Sequence, residues 1–437
     1  MAINKKNQKE ILIKLGIEKL NQMQEDAQKA ISSNSEIILL SPTGTGKTLA
    51  FLLPIIADIH PKIKNMQVLI LVPSRELAIQ IEQVIREMGS GYKATAVYGG
   101  RSGSKDKIEL KHPPTILIGT PGRISDHINR GTIDIQQIKT LVLDEFDKSL
   151  EIGFEDEMKD ILKNLVAVQN KILTSATQKV KIPSFMELKK PKRLNYLSNK
   201  VTNLKLKTIV SQQQDKLDSL EKLLNFNSKG CGIIFCNFKT SIQIVSDFLY
   251  KNQIAHGCFY GDLEQINRER SLIKFRNGTY KILVATDLAA RGIDIPEMNF
   301  IIHYELPTRP DEFIHRNGRT ARMHNNGTAY ILKWKNEELP IFIKNDEEIT
   351  IESTKRLKNS NWKTLYISGG RKDKISKGDI AGLFFKQGNL KKEELGVIEL
   401  KQNCAYVAVS CLNVDALISK TNNYKLKKKK IRISILK

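Results

Sequence analysis

Short apolar runs recur along the chain, and an amphipathic stretch follows most of them. From Glu36 the runs read EIILLSP, MQVLILVP, PTILIGT, TLVLDEFD and KILTSAT, and between them lie stretches such as SRELAIQIEQVIREMG. Runs of four or five consecutive β-favouring residues predict strands buried on both faces. Alternation with helices predicts right-handed crossovers and a parallel sheet covered on both sides. The pattern then restarts. After RLNYLSNKVTNLKLK come the helical DKLDSLEKLLNFN and the runs CGIIFCN, AHGCFYG, KILVATD, NFIIHYE and GTAYILK. Two α/β domains of similar layout are expected, over residues 1–199 and 200–345.

A polar, partly acidic segment at 346–360 reads as a linker, and residues 361–437 read as a small α+β module. Its order is TLYISGG, a helix around GDIAGLFFKQ, LGVIEL, CAYVAVS, a helix around VDALISKTNN, then IRISIL. That β-α-β-β-α-β order is the ferredoxin-like layout shared by RNA-recognition motifs. A fold alone does not assign a function.

Charge narrows the choice of partner. The chain carries a formal net charge of +23 over 437 residues, a bias that a polyanion partner explains directly. Residues 361–437 hold 17 Lys and Arg against 6 Asp and Glu, so the small module is the more electropositive part. Five cysteines, Cys231, Cys236, Cys258, Cys404 and Cys411, show no paired spacing. They read as reduced core thiols. With no run of about 18 apolar residues and an N-terminus, MAINKKNQKEILIKLG, that lacks a signal-peptide pattern, a cytoplasmic location without membrane attachment is expected.

Candidate chemistry begins at SPTGTGKT, Ser41 to Thr48, which follows the strand EIILL and opens the helical GKTLAFLLPII. Gly44 and Gly46 permit the dihedrals that turn successive N–H groups toward a phosphate, and the helix N-terminus adds its positive dipole end. Lys47 is placed to reach the β- and γ-phosphates and Thr48 to hold Mg²⁺. Ser41 stands where the general phosphate-loop pattern has glycine. A second candidate is DEFD, Asp144 to Asp147, at the end of TLVL. Carboxylates there are either solvated turn residues or magnesium ligands. Beside a phosphate loop, the economical roles are Mg²⁺ coordination for Asp144 and water activation for Glu145.

In register with these lie PSRELAIQ (73–80), Gly99-Gly100, TPGR (120–123), SAT (175–177), IIFCN (233–237), Gln265-x-x-Arg268, ATDLAARGID (285–294) and HRNGRTAR (315–322). In order and spacing the set resembles the DEAD-box RNA helicases, over about residues 16–335. The resemblance implies two RecA-like domains that close on ATP and single-stranded RNA. It places Gln24 at the adenine, Thr43, Gly44, Thr45, Gly46, Lys47 and Thr48 around the phosphates, and Asp144 and Glu145 at metal and water. From the second domain it adds Asp294 near the ribose and Arg319 and Arg322 at the γ-phosphate. Ser175, Thr177, Asp147 and His315 are implied in coupling hydrolysis to unwinding. RNA contacts are implied for Arg75, Gly99, Gly100, Thr120, Arg123, Asn237, Gly261, Asp262, Arg268 and Thr286, by backbone tracking rather than base reading.

Three departures from the family pattern stand out. Phe146 replaces the small Ala of the name-giving tetrad, Leu20 and Asn21 replace Pro-Thr ahead of Gln24, and KKNQKEILIKLGI lacks the usual upstream aromatic. The charged atoms of DEFD survive, so hydrolysis is expected to persist.

The string TLYISGGRKDKISKGDIAGLFF, continued by ELGVIELKQNCAYVAVS, resembles the RNA-binding domain of the DbpA subfamily. That implies a hairpin of large-subunit ribosomal RNA as target, in bacterial ribosome assembly, with tethering that raises the local concentration of the core. Tyr366 and Tyr406 are the only aromatics at the expected stacking positions. Recognition is therefore expected to lean on Arg371, Lys372, Lys374 and the run Lys427 to Lys430. A general RNA helicase and an ATPase-impaired RNA chaperone are the competing readings, and a monomer is expected.

Overall fold

A computed structural model describes residues 8–100, 103–177, 182–197, 204–287, 298–320, 327–344, 347–352, 357–410 and 413–436. Asp294 and Arg322 lie outside the described residues. The described residues divide into two compact units, 8–197 and 204–436.

The first unit is built on a seven-stranded sheet. Its strands are β1 (Glu36–Leu40), β2 (Val68–Leu71), β3 (Ala94–Val97), β4 (Ile116–Gly119), β5 (Thr140–Leu143), β6 (Asn170–Ser175) and β7 (Lys192–Asn195). They pair in the order β3-β4-β2-β5-β6-β1-β7, parallel at every join. All four residues of β2, of β4 and of β5 are buried, as their unbroken apolar runs require for central parallel strands. Alternate residues feed two cores. Val68, Ile70, Ile118 and Val142 join one face with Phe51 and Ile81, while Leu69, Leu71, Leu141 and Leu143 join the other with Met158 and Ile161.

The second unit holds a second sheet of the same design. β8 (Leu204–Ser211), β9 (Gly232–Cys236), β10 (His256–Phe259), β11 (Ile282–Thr286), β12 (Phe300–His303), β13 (Gly327–Trp334) and β14 (Glu347–Glu348) pair in the order β10-β11-β9-β12-β13-β8-β14. Part of the segment read as a linker belongs here instead. Glu347 and Glu348 form the edge strand on β8, and Leu357 is buried in this core with its N–H donating to Asn225 Oδ1 at 2.8 Å. Main-chain pairing, which hydropathy does not register, holds that segment.

The same unit contains the α+β module. β15 (Lys363–Ile367), β16 (Leu395–Leu400), β17 (Ala405–Val409), the hairpin β18 (Lys425–Leu426) and β19 (Lys429–Lys430), and β20 (Ile433–Ile435) complete the strands. The antiparallel order β16-β17-β15-β20 is the ferredoxin-like arrangement the sequence pattern predicts, with helices Lys377–Lys386 and Val414–Thr421 on one face. No described helix is long and apolar enough to cross a membrane.

Candidate nucleotide and RNA sites

The phosphate loop lies between β1 and the helix Lys47–Asp58, whose N-cap is Gly46. Gly44 and Gly46 have φ of +82° and +85°, a left-handed backbone that side chains strain. A Cβ on Gly46 would also sit 2.4 Å from Gln24 Nε2. Lys47 Nζ donates to the carbonyls of Ser41 (2.6 Å) and Pro42 (2.9 Å), which holds the ammonium inside the loop curve. Ser41, the departure from glycine, is buried, and its hydroxyl meets Thr45 Oγ1 at 2.8 Å. The substitution braces the loop.

Gln24 sits against this loop, with its Nε2 donating to Gly46 O at 3.3 Å. Asn21, where the family pattern has Pro-Thr, explains the placement. It caps the helix Gln22–Ser33 by accepting from Gln24 N at 2.9 Å, its own N–H donates to Gln24 Oε1 at 3.0 Å, and its Nδ2 donates to Thr45 O at 3.0 Å. The capping box thus ties Gln24 to the phosphate loop.

Asp144 follows β5 and is 3% exposed. Its Oδ1 accepts from the Thr174 hydroxyl, and the same Oγ1 accepts from Glu145 N at 3.2 Å. Burial pushes the Asp144 carboxyl up, against the pull of Thr174 and of the Lys47 charge. Glu145 adopts φ +50°, a strained conformation for a non-glycine residue of the kind that marks functional sites. Phe146 is 3% exposed and belongs to the core cluster of Met158, Ile161 and Met186. Its extra volume goes into the core.

Asp147 Oδ2 accepts from Thr177 Oγ1 at 3.0 Å, and Ser175 Oγ accepts from Thr177 N at 2.9 Å. The implied coupling residues of this unit therefore touch. Burial raises the Asp147 carboxyl, and its Oδ1 is buried with no hydrogen-bond partner among the described residues.

The implied RNA residues of the first unit gather at the C-terminal ends of the strands. Arg75 opens the helix Arg75–Met88 behind its Ser74 cap. Its guanidinium lies against the Gly99-Gly100 turn, where Gly100 has φ +78° and a Cβ would meet Arg75 Nη1 at 2.6 Å. Thr120 is the N-cap residue of the helix Pro121–Asn129. Arg123 is anchored by acids, with Nε and Nη2 at 2.8 and 2.7 Å from Asp106 Oδ2 and Nη1 at 3.1 Å from Asp126. His127 Nε2 shares Asp106 at 3.1 Å.

In the second unit a residue that motif reading passed over organises the site. Arg316, fully buried on the helix Pro310–Asn317, donates to Asp287 through Nε (2.7 Å) and Nη2, to Asn237 Oδ1 (2.7 Å) and to Glu305 O (2.7 Å). Glu305 in turn accepts from Asn237 N and from Ser241 Oγ at 2.7 Å. The ends of β9, β11 and β12 are thereby fixed, together with Asn237 and, at the tip of β11, half-buried Thr286. His315 and Arg319 are each 4% exposed beside this hub. Gly261 and Asp262 are exposed, with Asp262 Oδ2 at 3.3 Å from Lys239 Nζ, and Arg268 stacks over Phe259 at 5.2 Å.

In the module, SGGRKDK is a tight loop. A Cβ on Gly370 would lie 2.5 Å from Gln402 O, and this closeness lets Arg371 N and Lys372 N donate to the carbonyls of Lys401 and Gln402 at 3.0 and 2.9 Å. Lys372 and Lys374 are exposed. The Lys427 to Lys430 run is a hairpin rather than a solvated tail. Lys427 turns at φ +55° and reaches Asp379 at 2.9 Å, and Lys429 reaches Asp373 at 2.9 Å.

Among the described residues no cluster of three or more His, Cys, Asp or Glu could cage a metal. Asp144, a buried carboxylate that feels the Lys47 charge of the phosphate loop, suits Mg²⁺ held partly by substrate phosphates.

Residues 21–184 match the DEAD/DEAH box helicase family, 215–324 the helicase conserved C-terminal domain and 364–435 the DbpA RNA binding domain. The chain is 30% identical to the ATP-dependent RNA helicase DbpA of Escherichia coli, over 98% of this chain and 96% of the relative. It is 34% identical to the DEAD-box ATP-dependent RNA helicase CshA of Bacillus subtilis, over 72% of this chain and 65% of the relative. Among solved structures, S. cerevisiae Dbp5 bound to RNA and ADP BeF3 is similar at a TM-score of 0.67 and 29% identity, covering 75% of this chain and 88% of that one.

Proposed function

The chain belongs to the DEAD-box ATP-dependent RNA helicases that carry a DbpA-type RNA-binding domain, and from that premise we propose that its target is a hairpin of large-subunit (23S) ribosomal RNA, acted on during bacterial 50S assembly. The observation that carries this reading is the match over residues 364–435, which takes in nearly the whole module and its built loop of Arg371, Lys372 and Lys374. The module grips the hairpin, and the core, working as a monomer, opens nearby duplex.

In the proposed cycle Lys47 leaves its loop carbonyls for the β- and γ-phosphates, and Gln24, already at the loop, reads the adenine edge. Asp144 and Thr48 would hold Mg²⁺, which when bound would neutralise charge at the phosphates. Glu145, its backbone N–H fixed by Thr174, orients the attacking water and accepts its proton. Asp294 meets the ribose, and Arg319 and Arg322 stabilise charge on the transferring phosphoryl oxygens, for which effects on the order of 10³ to 10⁵ in rate are typical. The buried Oδ1 of Asp147 supports a coupling role for this carboxylate, and His315 is assigned to the same role. The strand ends fixed by Arg316 hold Asn237 and Thr286 for the RNA backbone.

Steady-state ATPase activity at fixed salt tests the reading, comparing an rRNA fragment carrying the peptidyl-transferase hairpin with unstructured homopolymer. Strong preference for the fragment is expected. Equal stimulation would leave a general RNA helicase without rRNA preference, and no hydrolysis with either RNA would leave an RNA chaperone.

A further inference from the structure

The sheet of the C-terminal module has two unlike faces. Leu365, Ile367, Val407 and Val409 are fully buried beneath its helices. The other face carries Tyr366 opposite Tyr406, ring centroids 5.9 Å apart, with Glu399 next in register on β16. In RNA-recognition motifs such a face stacks bases on its aromatics. Here it lies against the helix Gln265–Arg276 of the second helicase domain and the turn that follows.

The contact is built from side chains of both parts. Arg276 Nε lies 2.9 Å from Glu399 Oε1, and both side chains are largely buried. Lys401 Nζ lies 3.3 Å from Glu269 Oε1. Thr364, 2% exposed, shares its hydroxyl with Thr279 at 2.8 Å and accepts from Asn277 Nδ2 at 3.3 Å. Trp362 fills the space beside Gly278 and Gly396, where a Cβ on Gly396 would meet its ring at 2.8 Å. Burial and paired charge in one patch make this a specific interface.

We infer that the C-terminal module is a fixed extension of the second helicase domain, docked through its sheet face, so that this face does not stack bases and RNA gripped elsewhere on the module moves with that domain. The helix Gln265–Arg276 is the connecting element. Its first turn carries Arg268, a proposed RNA contact of the core, and its last turn carries Arg276, about 12 Å further along at 1.5 Å per residue. One rigid helix therefore holds the core's RNA groove and the hairpin grip at a set spacing. The docking stands on the contacts alone; only its consequence for RNA rests on the proposed hairpin reading.

The test places a dye pair at Tyr250 and Lys420, both exposed on the two parts, and measures energy transfer in the full-length protein with and without the rRNA hairpin. One narrow distance distribution, unchanged by hairpin, is expected. Arg276→Glu should broaden it, and Arg276→Glu combined with Glu399→Arg should narrow it again. On a duplex joined to the hairpin, Arg276→Glu should slow unwinding by about tenfold or more through lost effective concentration, while hairpin affinity stays near wild type. A broad distribution in the wild type, a narrow one in Arg276→Glu, or no recovery in the charge swap would overturn the docking. Unchanged unwinding in an undocked variant would overturn the mechanical role. A wild type that binds no hairpin would instead remove the rRNA reading, with the distance result still standing.

Discussion

Phe146 occupies the position where the family pattern has alanine, and restoring alanine should damage the protein rather than improve it. The ring is 3% exposed within a cluster whose members Leu143, Met158, Ile161 and Met186 are each at most 2% exposed. Burying about 150 Å² of aromatic surface at about 25 cal/mol per Å² is worth about 4 kcal/mol. Phe-to-Ala substitutions in such cores cost about 3–5 kcal/mol once the residual cavity is included. For a domain of this size that corresponds to a fall in melting temperature of about 6–20 °C. Turnover measured well below the melting point should change little, because Thr174 and the end of β5, not the ring, hold Asp144 and Glu145. Urea unfolding followed by circular dichroism, alongside RNA-stimulated ATPase at 25 °C, reads both quantities. A loss of stability below about 1 kcal/mol, less than any cavity estimate allows, would refute this packing account, and a large gain in turnover would show that the ring obstructs the site.

Thr174→Val removes a hydroxyl that donates to Asp144 and accepts from Glu145 N; a hydrogen bond to a charged group is worth about 1.5–3 kcal/mol, so kcat/KM for ATP should fall by about 10- to 150-fold, which steady-state kinetics will report. Glu145→Gln should keep ATP and RNA binding while abolishing turnover, checked by nucleotide binding and single-turnover assays on the same preparation. Arg316→Ala strands the Asp287 carboxylate, and breaking a buried pair costs about 3–5 kcal/mol, so hydrogen exchange should rise first in β9, β11 and β12. His303 is buried beside the Arg316 charge, and both depress its pKa to about 3. The unfolded state takes up this proton from about pH 6.5 downward while the folded state refuses it, so second-domain stability should be whole above pH 6.5 and decline below it by up to about 1.4 kcal/mol per pH unit until about pH 3. His303→Asn should flatten that slope in pH-dependent unfolding.

Much of this is legible in the sequence, and what is not has a common cause. Apolar runs such as VLIL and TLVL announce central strands because a parallel sheet buries both faces. GKT and DEFD announce themselves because the residues proposed for the chemistry stand consecutively at a strand end. Arg316 stayed hidden because its partners Asp287, Asn237 and Glu305 are scattered along the chain, and nothing in HRNGRTAR separates a buried structural arginine from the arginines proposed to reach the γ-phosphate. The one available signal was the aspartate of ATD, an acid at a buried strand end in need of a cation. Thr174 was passed over because a hydroxyl inside a strand reads as ordinary β propensity. Asn21 looked like a lost motif residue, although an Asn three positions before a Gln is a capping box. The lysine hairpin has no Gly or Asn at its turn, so the sequence carries no signal for the fold of a run it marks only by charge. Trp362 and Glu399 carry no signal in the sequence, because docking depends on a face, not on a run.

Under the proposed function, hairpin grip and ATP-driven opening act together on one RNA. The most direct measurement is ATP-dependent unwinding of one short duplex presented two ways, joined to the rRNA hairpin or free of it, at the same salt. Much faster unwinding of the joined duplex is expected, with the advantage lost on removal of residues 361–437. Equal rates on the two substrates in the full-length protein would contradict it.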